Sequence, residues 1–163
     1  FSFHGTPKRF LTEGDPYYCH CQKTARLVAQ RLGLADGRWR VTFQSIFGRE
    51  EWLNPYTIDT LRTLGAEGVK SVDIVCPGFS ADCLETLEEI TVENRHAYLQ
   101  AGGESFHYIP ALNDRPDHIQ GLAGLIQKHI AGWPEAAPDW DAGQQETGNR
   151  GRWQRALSFG AER

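Results

Sequence analysis

Short stretches rich in aromatic and β-branched residues alternate, along most of the chain, with longer stretches of helical periodicity, and few folds accept that order. "FSFHG" at residues 1–5 reads as the end of a strand. Residues 13–34 read as a helix that Asp15 can cap, with Pro16 in its first turn and Gly33 where a C-terminal glycine belongs. A strand over 38–45 follows, then a loop broken by Gly48 and Pro55, and a short helix over 57–68. Ser71 to Cys76 is the clearest strand; a periodic helix over 81–103, a strand over 105–112 and a helix over 113–130 complete the series. Strict alternation predicts an α/β domain of about four parallel strands with helices on both faces. No repeat is visible, and after Ile130 the periodicity stops. The domain is therefore expected to span 1–132, and 133–163 to be a tail, disordered or locally helical near Trp153 to Leu157.

The net charge of −4 argues against nucleic acid as a partner, where a basic stripe would be expected. No stretch approaches the ~20 apolar residues that span a bilayer. Cys19, Cys21, Cys76 and Cys83 lack the paired spacing of structural zinc and read as reduced thiols. The sequence holds no methionine and starts inside what reads as a buried strand, as expected of a piece cut from a longer enzyme.

Strands of a parallel sheet point one way, and ligands bind in the crevice outside their carboxyl ends. Three of these strand ends carry chemistry. The first ends at His4, which can accept a proton or ligate a metal, or can simply be a hydrogen-bonded loop histidine. The second ends at Gln44 and Ser45 and enters a loop with Phe47, Trp52 and Tyr56; these rings can line a pocket for a flat ligand or fasten the loop to the core, and the core is preferred on the residues alone. The third ends at Cys76-Pro77-Gly78 and leads to the helix starting near Asp82. At ~100° per residue, Cys83, Leu87, Ile90, Ala97 and Tyr98 share one side of that helix, and Glu85, Glu89 and Glu93 line the other below Asp82. The acidic row is either a solvated face with a cap at its head or a path of hard oxygen ligands for divalent cations or protons.

"FSFHGTPKR", "GDPYYCHCQKTARLVAQRLGL", "VTFQSIFGREEWLNPYT" and "VCPGFSADCLETLEEI" closely resemble ferrochelatase of Gram-negative bacteria, from Phe1 to about Ile130 and over what corresponds to its C-terminal half. The resemblance implies a chelatase-like (Rossmann/flavodoxin-like) domain and an enzyme that inserts Fe²⁺ into protoporphyrin IX in the last step of haem biosynthesis. The family's "S-x-H-x-x-P" histidine falls on His4, as metal ligand or acceptor of the pyrrole protons. Its "D-H-x-E-T-L" motif falls on Asp82 to Leu87, with Glu85 as catalytic and metal-binding carboxylate and Asp82, Glu89 and Glu93 along a metal or proton path; Cys83 replaces the motif's histidine. Gln44, Ser45, Trp52 and Pro77 are implied to contact the porphyrin. Further implications are an N-terminal half of the same enzyme as partner, a monomeric full-length form, and a cytoplasmic place, with peripheral contact to the inner membrane as its variant. No cofactor and no iron–sulphur cluster are expected, because no matching cysteine group stands in the tail. A cobalt or nickel chelatase of tetrapyrrole metabolism and a non-catalytic half-domain that binds tetrapyrrole or metal are the rival readings.

Overall fold

The computed structural model describes residues 1–162. They divide into two compact units, Phe1–Arg115 and a second beginning at Pro116.

In the first unit β1 (Ser2–His4) and β2 (Thr42–Gln44) pair in parallel, with Ser2 opposite Thr42, Phe3 opposite Phe43 and His4 opposite Gln44. The two-residue alternation of strands sends Phe3 and Phe43 to one face. There they are buried with Cys21 and Ala25 of α2 (Tyr17–Leu32). The small residues Cys21, Ala25 and Ala29 recur one turn apart and let α2 approach the strands closely. As expected, the Asp15 carboxylate accepts from the Tyr17 N–H at the helix start, and Gly33 closes the helix at a φ of 66°. A five-residue helix α1 (Lys8–Thr12) lies between β1 and α2. The other face of the pair turns Ser2 and Thr42 toward α3 (Thr57–Ala66). Ser2 Oγ lies 2.9 Å from Thr57 Oγ1, which donates to Thr42 Oγ1 at 3.0 Å. These buried hydroxyls satisfy one another and so avoid a desolvation penalty of about 1–3 kcal/mol each.

β3 (Ser71–Val75) and β4 (Ser105–Ile109) form a second parallel pair, in register from Ser71 opposite Ser105 to Val75 opposite Ile109. Between them in sequence run a π-helix, Glu85–Asn94, and α4 (Arg95–Gln100). Val72, Ile74, Phe106 and Tyr108 pack beneath these helices with Leu61, Ile90 and Tyr98. Ile90 and Tyr98 are fully buried, each contributing roughly 1.5–3 kcal/mol of apolar burial. The Tyr98 hydroxyl donates to the Val69 carbonyl at 2.8 Å.

The α/β class and the parallel pairing agree with the sequence expectation; three details differ. The strands form two pairs rather than one four-stranded sheet. β1 is only three residues long, and side chains rather than a backbone ladder link the first pair to the segment after β3: Cys76 Sγ donates to Gln44 Oε1 at 3.4 Å. Helices cover both faces of β1–β2, whereas Asp73 and His107 lie exposed on the open face of β3–β4, paired at 3.1 Å. Finally, the helix after Asp82 is not α-helical throughout. Hydrogen bonds of the i→i+5 type, such as Arg95 N–H to Ile90 O, widen its turns and shift its phase. Thr86, Ile90 and Asn94 face inward, and Leu87, expected inside, is 55% exposed.

The second unit holds α5 (Pro116–Ile130), a short 3₁₀ turn at Pro134–Ala136 and α6 (Ala142–Ser158). The division between the two compact units falls at Arg115. α5 carries Asp117 in its first turn and Lys128 and His129 in its last, each opposing the helix dipole. Much of the stretch expected to be a tail is helical. The Asp141 side chain caps α6, accepting from Gly143 N and Gln144 N at 2.7 and 3.1 Å, and Arg150 pairs with Glu146 one turn earlier. Three glycines within α6, Gly143, Gly148 and Gly151, mask that helix in the sequence.

Candidate functional site

The carboxyl ends of β1 and β2 meet the start of the π-helix. His4 is half-buried at the tip of β1, opposite Gln44. Its Nδ1 lies 2.7 Å from the Gly5 carbonyl oxygen. A carbonyl can only accept, so Nδ1 carries the hydrogen and Nε2 of the neutral ring keeps the lone pair. The Tyr17 hydroxyl donates to the His4 carbonyl at 2.8 Å and fixes the backbone. Gly5 is needed beside it: a Cβ there would stand 3.0 Å from both the Gln44 carbonyl oxygen and Trp52 Cε3.

Gln44 ties the strand end to the acidic helix. It is 2% exposed; its Oε1 accepts from Ser2 Oγ at 2.5 Å and from Cys76 Sγ, and its Nε2 donates to the Glu85 carbonyl at 2.8 Å and to Glu89 Oε2 at 3.4 Å. Burial, and the nearby acids Glu89 and Asp82, push the Cys76 thiol up to about 12, so it acts as a neutral donor. Gln44→Ala would strip partners from Ser2, Cys76 and the Glu85 carbonyl and leave a cavity. A loss of about 2–4 kcal/mol is expected, measured as a lower denaturant midpoint; unchanged stability would contradict this network.

The four acids expected to form one row, Asp82, Glu85, Glu89 and Glu93, occupy different settings. Glu85, at the head of the π-helix, is partly exposed. The Cys83 thiol and the Glu85 N–H hold its carboxyl below the usual carboxylate range, and His4 adds to this only when its ring carries a proton. Glu89 is a clamp. It accepts from the Ser45 N–H at 2.6 Å and the Ser45 hydroxyl at 2.7 Å, holding Ser45 at a φ of 61° that a non-glycine residue adopts only at a cost. Glu93 is exposed and borders a shallow depression with Ile58, Arg62 and His96, beside α3.

Asp82 anchors the loop that precedes the helix. Its carboxylate accepts from the Tyr108 hydroxyl at 2.7 Å, Asn113 Nδ2 at 2.8 Å, Thr86 Oγ1 at 3.0 Å and Ala111 N at 3.3 Å. Burial raises its pKa, but these donors outweigh burial and hold it below the ordinary value. A depressed folded-state pKa contributes stability that is present above the unfolded value and is lost as pH falls through the folded one. Asp82→Asn is expected to lower stability at pH 7 by about 1–2 kcal/mol and to flatten the loss of stability below about pH 4. Urea midpoints at pH 7 and pH 3 check this; parallel pH curves for the two proteins would refute it.

Of the residues implied to contact a porphyrin, Ser45 and Pro77 are half-buried at this rim, while Gln44 and Trp52 lie inside. Trp52 is 4% exposed, its ring packed between Gly5 and Phe47, and its indole N–H has no acceptor among the described residues. Here the residue-level preference for a loop fastener describes its surroundings. The sequence held no sign of the buried hydroxyls of Ser2 and Thr57 or of the Tyr108 anchor. Among the described residues no group of three or more His, Cys, Asp or Glu side chains converges to hold a metal ion. A proton acceptor and a solvent-facing carboxylate at one strand edge can take up protons and offer transient ligands to a divalent cation.

A protein-family model described as ferrochelatase matches residues 1–130. The chain is 56% identical to the ferrochelatase of Thioalkalivibrio sulfidiphilus over 161 residues, 99% of this chain and 44% of that protein. It is 57% identical to the ferrochelatase of Nitrosococcus oceani over 164 residues, 99% of this chain and 44% of that protein. With the ferrochelatase of Pseudoalteromonas atlantica the identity is 61% over 133 residues, 82% of this chain and 37% of that protein. The chain therefore spans less than half the length of these curated relatives.

Proposed function

The chain belongs to the ferrochelatase family, and from that premise we propose that it supplies part of an enzyme that inserts Fe²⁺ into protoporphyrin IX to give protohaem. The remaining length of the relatives would furnish a second part of the cleft. The observation that carries the reading is the meeting of His4 and Glu85 across Gln44, which is in register with one and bonded to the backbone of the other.

Insertion needs two pyrrole protons removed and a metal brought to four nitrogens held in a plane. His4 Nε2, whose lone pair is free because Nδ1 donates to Gly5, takes up a pyrrole proton. Glu85, kept ionised, meets the hydrated ferrous ion or takes the second proton. Two protons leave as one dication enters, so charge balances without any redox step. Because iron is substrate, its protein ligands must release it, and two side chains hold it more weakly than a closed four-ligand site would. Distortion of the macrocycle from planarity, supported by binding energy along its faces, exposes the nitrogen lone pairs.

No iron–sulphur cluster forms part of the proposal: Cys21 and Cys76 sit in separate apolar clusters. No helix of the described residues is long and apolar enough to cross a membrane. The proposed setting is the cytoplasm or the surface of the inner membrane, with the complete enzyme a monomer.

The test is an oxygen-free assay of the complete protein with protoporphyrin IX and Fe²⁺, Co²⁺, Ni²⁺ or Zn²⁺, following the loss of free-porphyrin emission. Turnover with Fe²⁺ is expected. Turnover with Co²⁺ or Ni²⁺ but not Fe²⁺, or porphyrin binding with no turnover, would overturn the proposal.

A further inference from the structure

We propose that Tyr108 is a positioning residue for Glu85, holding the head of the acidic helix from β4 while Gln44 holds it from β2. The inference rests on the ferrochelatase reading for the reaction that Glu85 serves. The two strand pairs, β1–β2 and β3–β4, meet at this helix head through side chains. From the first pair, Gln44 Nε2 donates to the Glu85 carbonyl at 2.8 Å. From the second, the Tyr108 hydroxyl donates to Asp82 Oδ1 at 2.7 Å. Glu85 stands between the two ties, and both must hold for its carboxylate to keep one distance from His4.

The tie from β4 reaches Glu85 through a short chain of bonds. The Asp82 oxygen that accepts from Tyr108 also accepts from Thr86 Oγ1 at 3.0 Å. That threonine hydroxyl in turn accepts from the Cys83 N–H at 3.0 Å, and the Thr86 N–H donates to the Cys83 carbonyl at 3.1 Å. Thr86 is fully buried and follows Glu85 directly. Asp82 is thereby committed to holding the helix: Asp82 N donates to Asn113 Oδ1, and Asn113 Nδ2 donates to Asp82 Oδ2, both at 2.8 Å.

Tyr108 differs from the other partners of Asp82 in where it stands. Asn113 and Ala111 come from the segment that follows β4. Tyr108 lies in the ladder, opposite Ile74, and its ring packs against the cluster that contains Ile74, Cys76 and Ile90. A ring with two rotatable bonds, seated against a packed core, delivers its hydroxyl to a fixed point. These bonds all lie within the first compact unit and depend on no open surface.

Tyr108→Phe removes the hydroxyl and keeps the ring. In the complete protein it is expected to lower kcat for ferrous insertion about tenfold, and to leave the Kd for protoporphyrin IX, from titration of its emission, unchanged. Amide hydrogen exchange over residues 83–89 should be severalfold faster. Tyr98→Phe is the control. The Tyr98 hydroxyl donates to the Val69 carbonyl, just before the amino end of β3, so this variant should lose comparable thermal stability yet insert at the wild-type rate. A wild-type kcat in Tyr108→Phe, or an equal loss of kcat in Tyr98→Phe, would overturn the positioning role. Insertion by the wild type, measured in parallel, reports on the reaction separately. A wild type that inserts no iron would refute the reaction, and exchange alone would then decide the tie: faster exchange over 83–89 in Tyr108→Phe upholds it, and unchanged exchange overturns it.

Discussion

Glu85→Gln in the complete protein is expected to slow ferrous insertion by about 10²–10⁴-fold, the range associated with loss of a positioned acid–base group, at unchanged thermal stability. The amide matches the carboxylate in shape but can neither take a proton nor bind a hydrated cation with a full charge. Stability should hold because the Glu85 side chain is partly exposed and the helix is fastened through other groups, the Glu85 carbonyl on Gln44 and the buried row Thr86, Ile90 and Asn94. The pH dependence has a definite sign. The carboxyl is held below its ordinary pKa, so Glu85 loses its charge at a lower pH than an unperturbed glutamate, and an acid limb of activity above the usual carboxylate range would belong to some other group. Anaerobic initial rates beside thermal melts make the check. A variant within about threefold of the wild-type rate would remove Glu85 from its assigned role.

His4→Ala is expected to lower the rate by a similar factor, about 10²–10⁴-fold, and His4→Asn separates the two ring nitrogens. An asparagine amide can still donate to the Gly5 carbonyl in place of Nδ1, which keeps the strand tip in order, but it offers no basic nitrogen where Nε2 stood. Both variants should fold, because the backbone at His4 is held by Tyr17 and by the Gly5 N–H bond to the Gln44 carbonyl at 2.7 Å. Added imidazole should restore part of the rate in His4→Ala and none in Glu85→Gln. Full activity in His4→Asn would mean that the histidine serves only to shape the turn.

How much of this was legible in the sequence follows from the kind of physics involved. Alternating strand and helix signals are local, and they placed His4, Gln44 and the segment after Cys76 on one edge without coordinates. The phase of the acidic helix was not legible. An α-helical period of 3.6 cannot anticipate i→i+5 bonding, so Thr86 and Asn94 were missed as core and Leu87 was counted inside. The acids look alike as letters and differ only through partners distant in sequence: Asp82 through Tyr108, Glu89 through Ser45. The residues alone favoured the core for Trp52, and only the resemblance implied porphyrin contacts for Gln44 and Trp52; buried hydroxyls and a glycine draw both inward.

The most direct measurement is a crystal structure of the complete protein, grown without metal and with a non-metallated porphyrin bound. The expected result puts the pyrrole nitrogens between the His4 imidazole, with Nε2 toward the ring centre, and the Glu85 carboxylate. A macrocycle bound away from the β1 tip, or one with His4 and Glu85 both out of reach of its centre, would contradict the account.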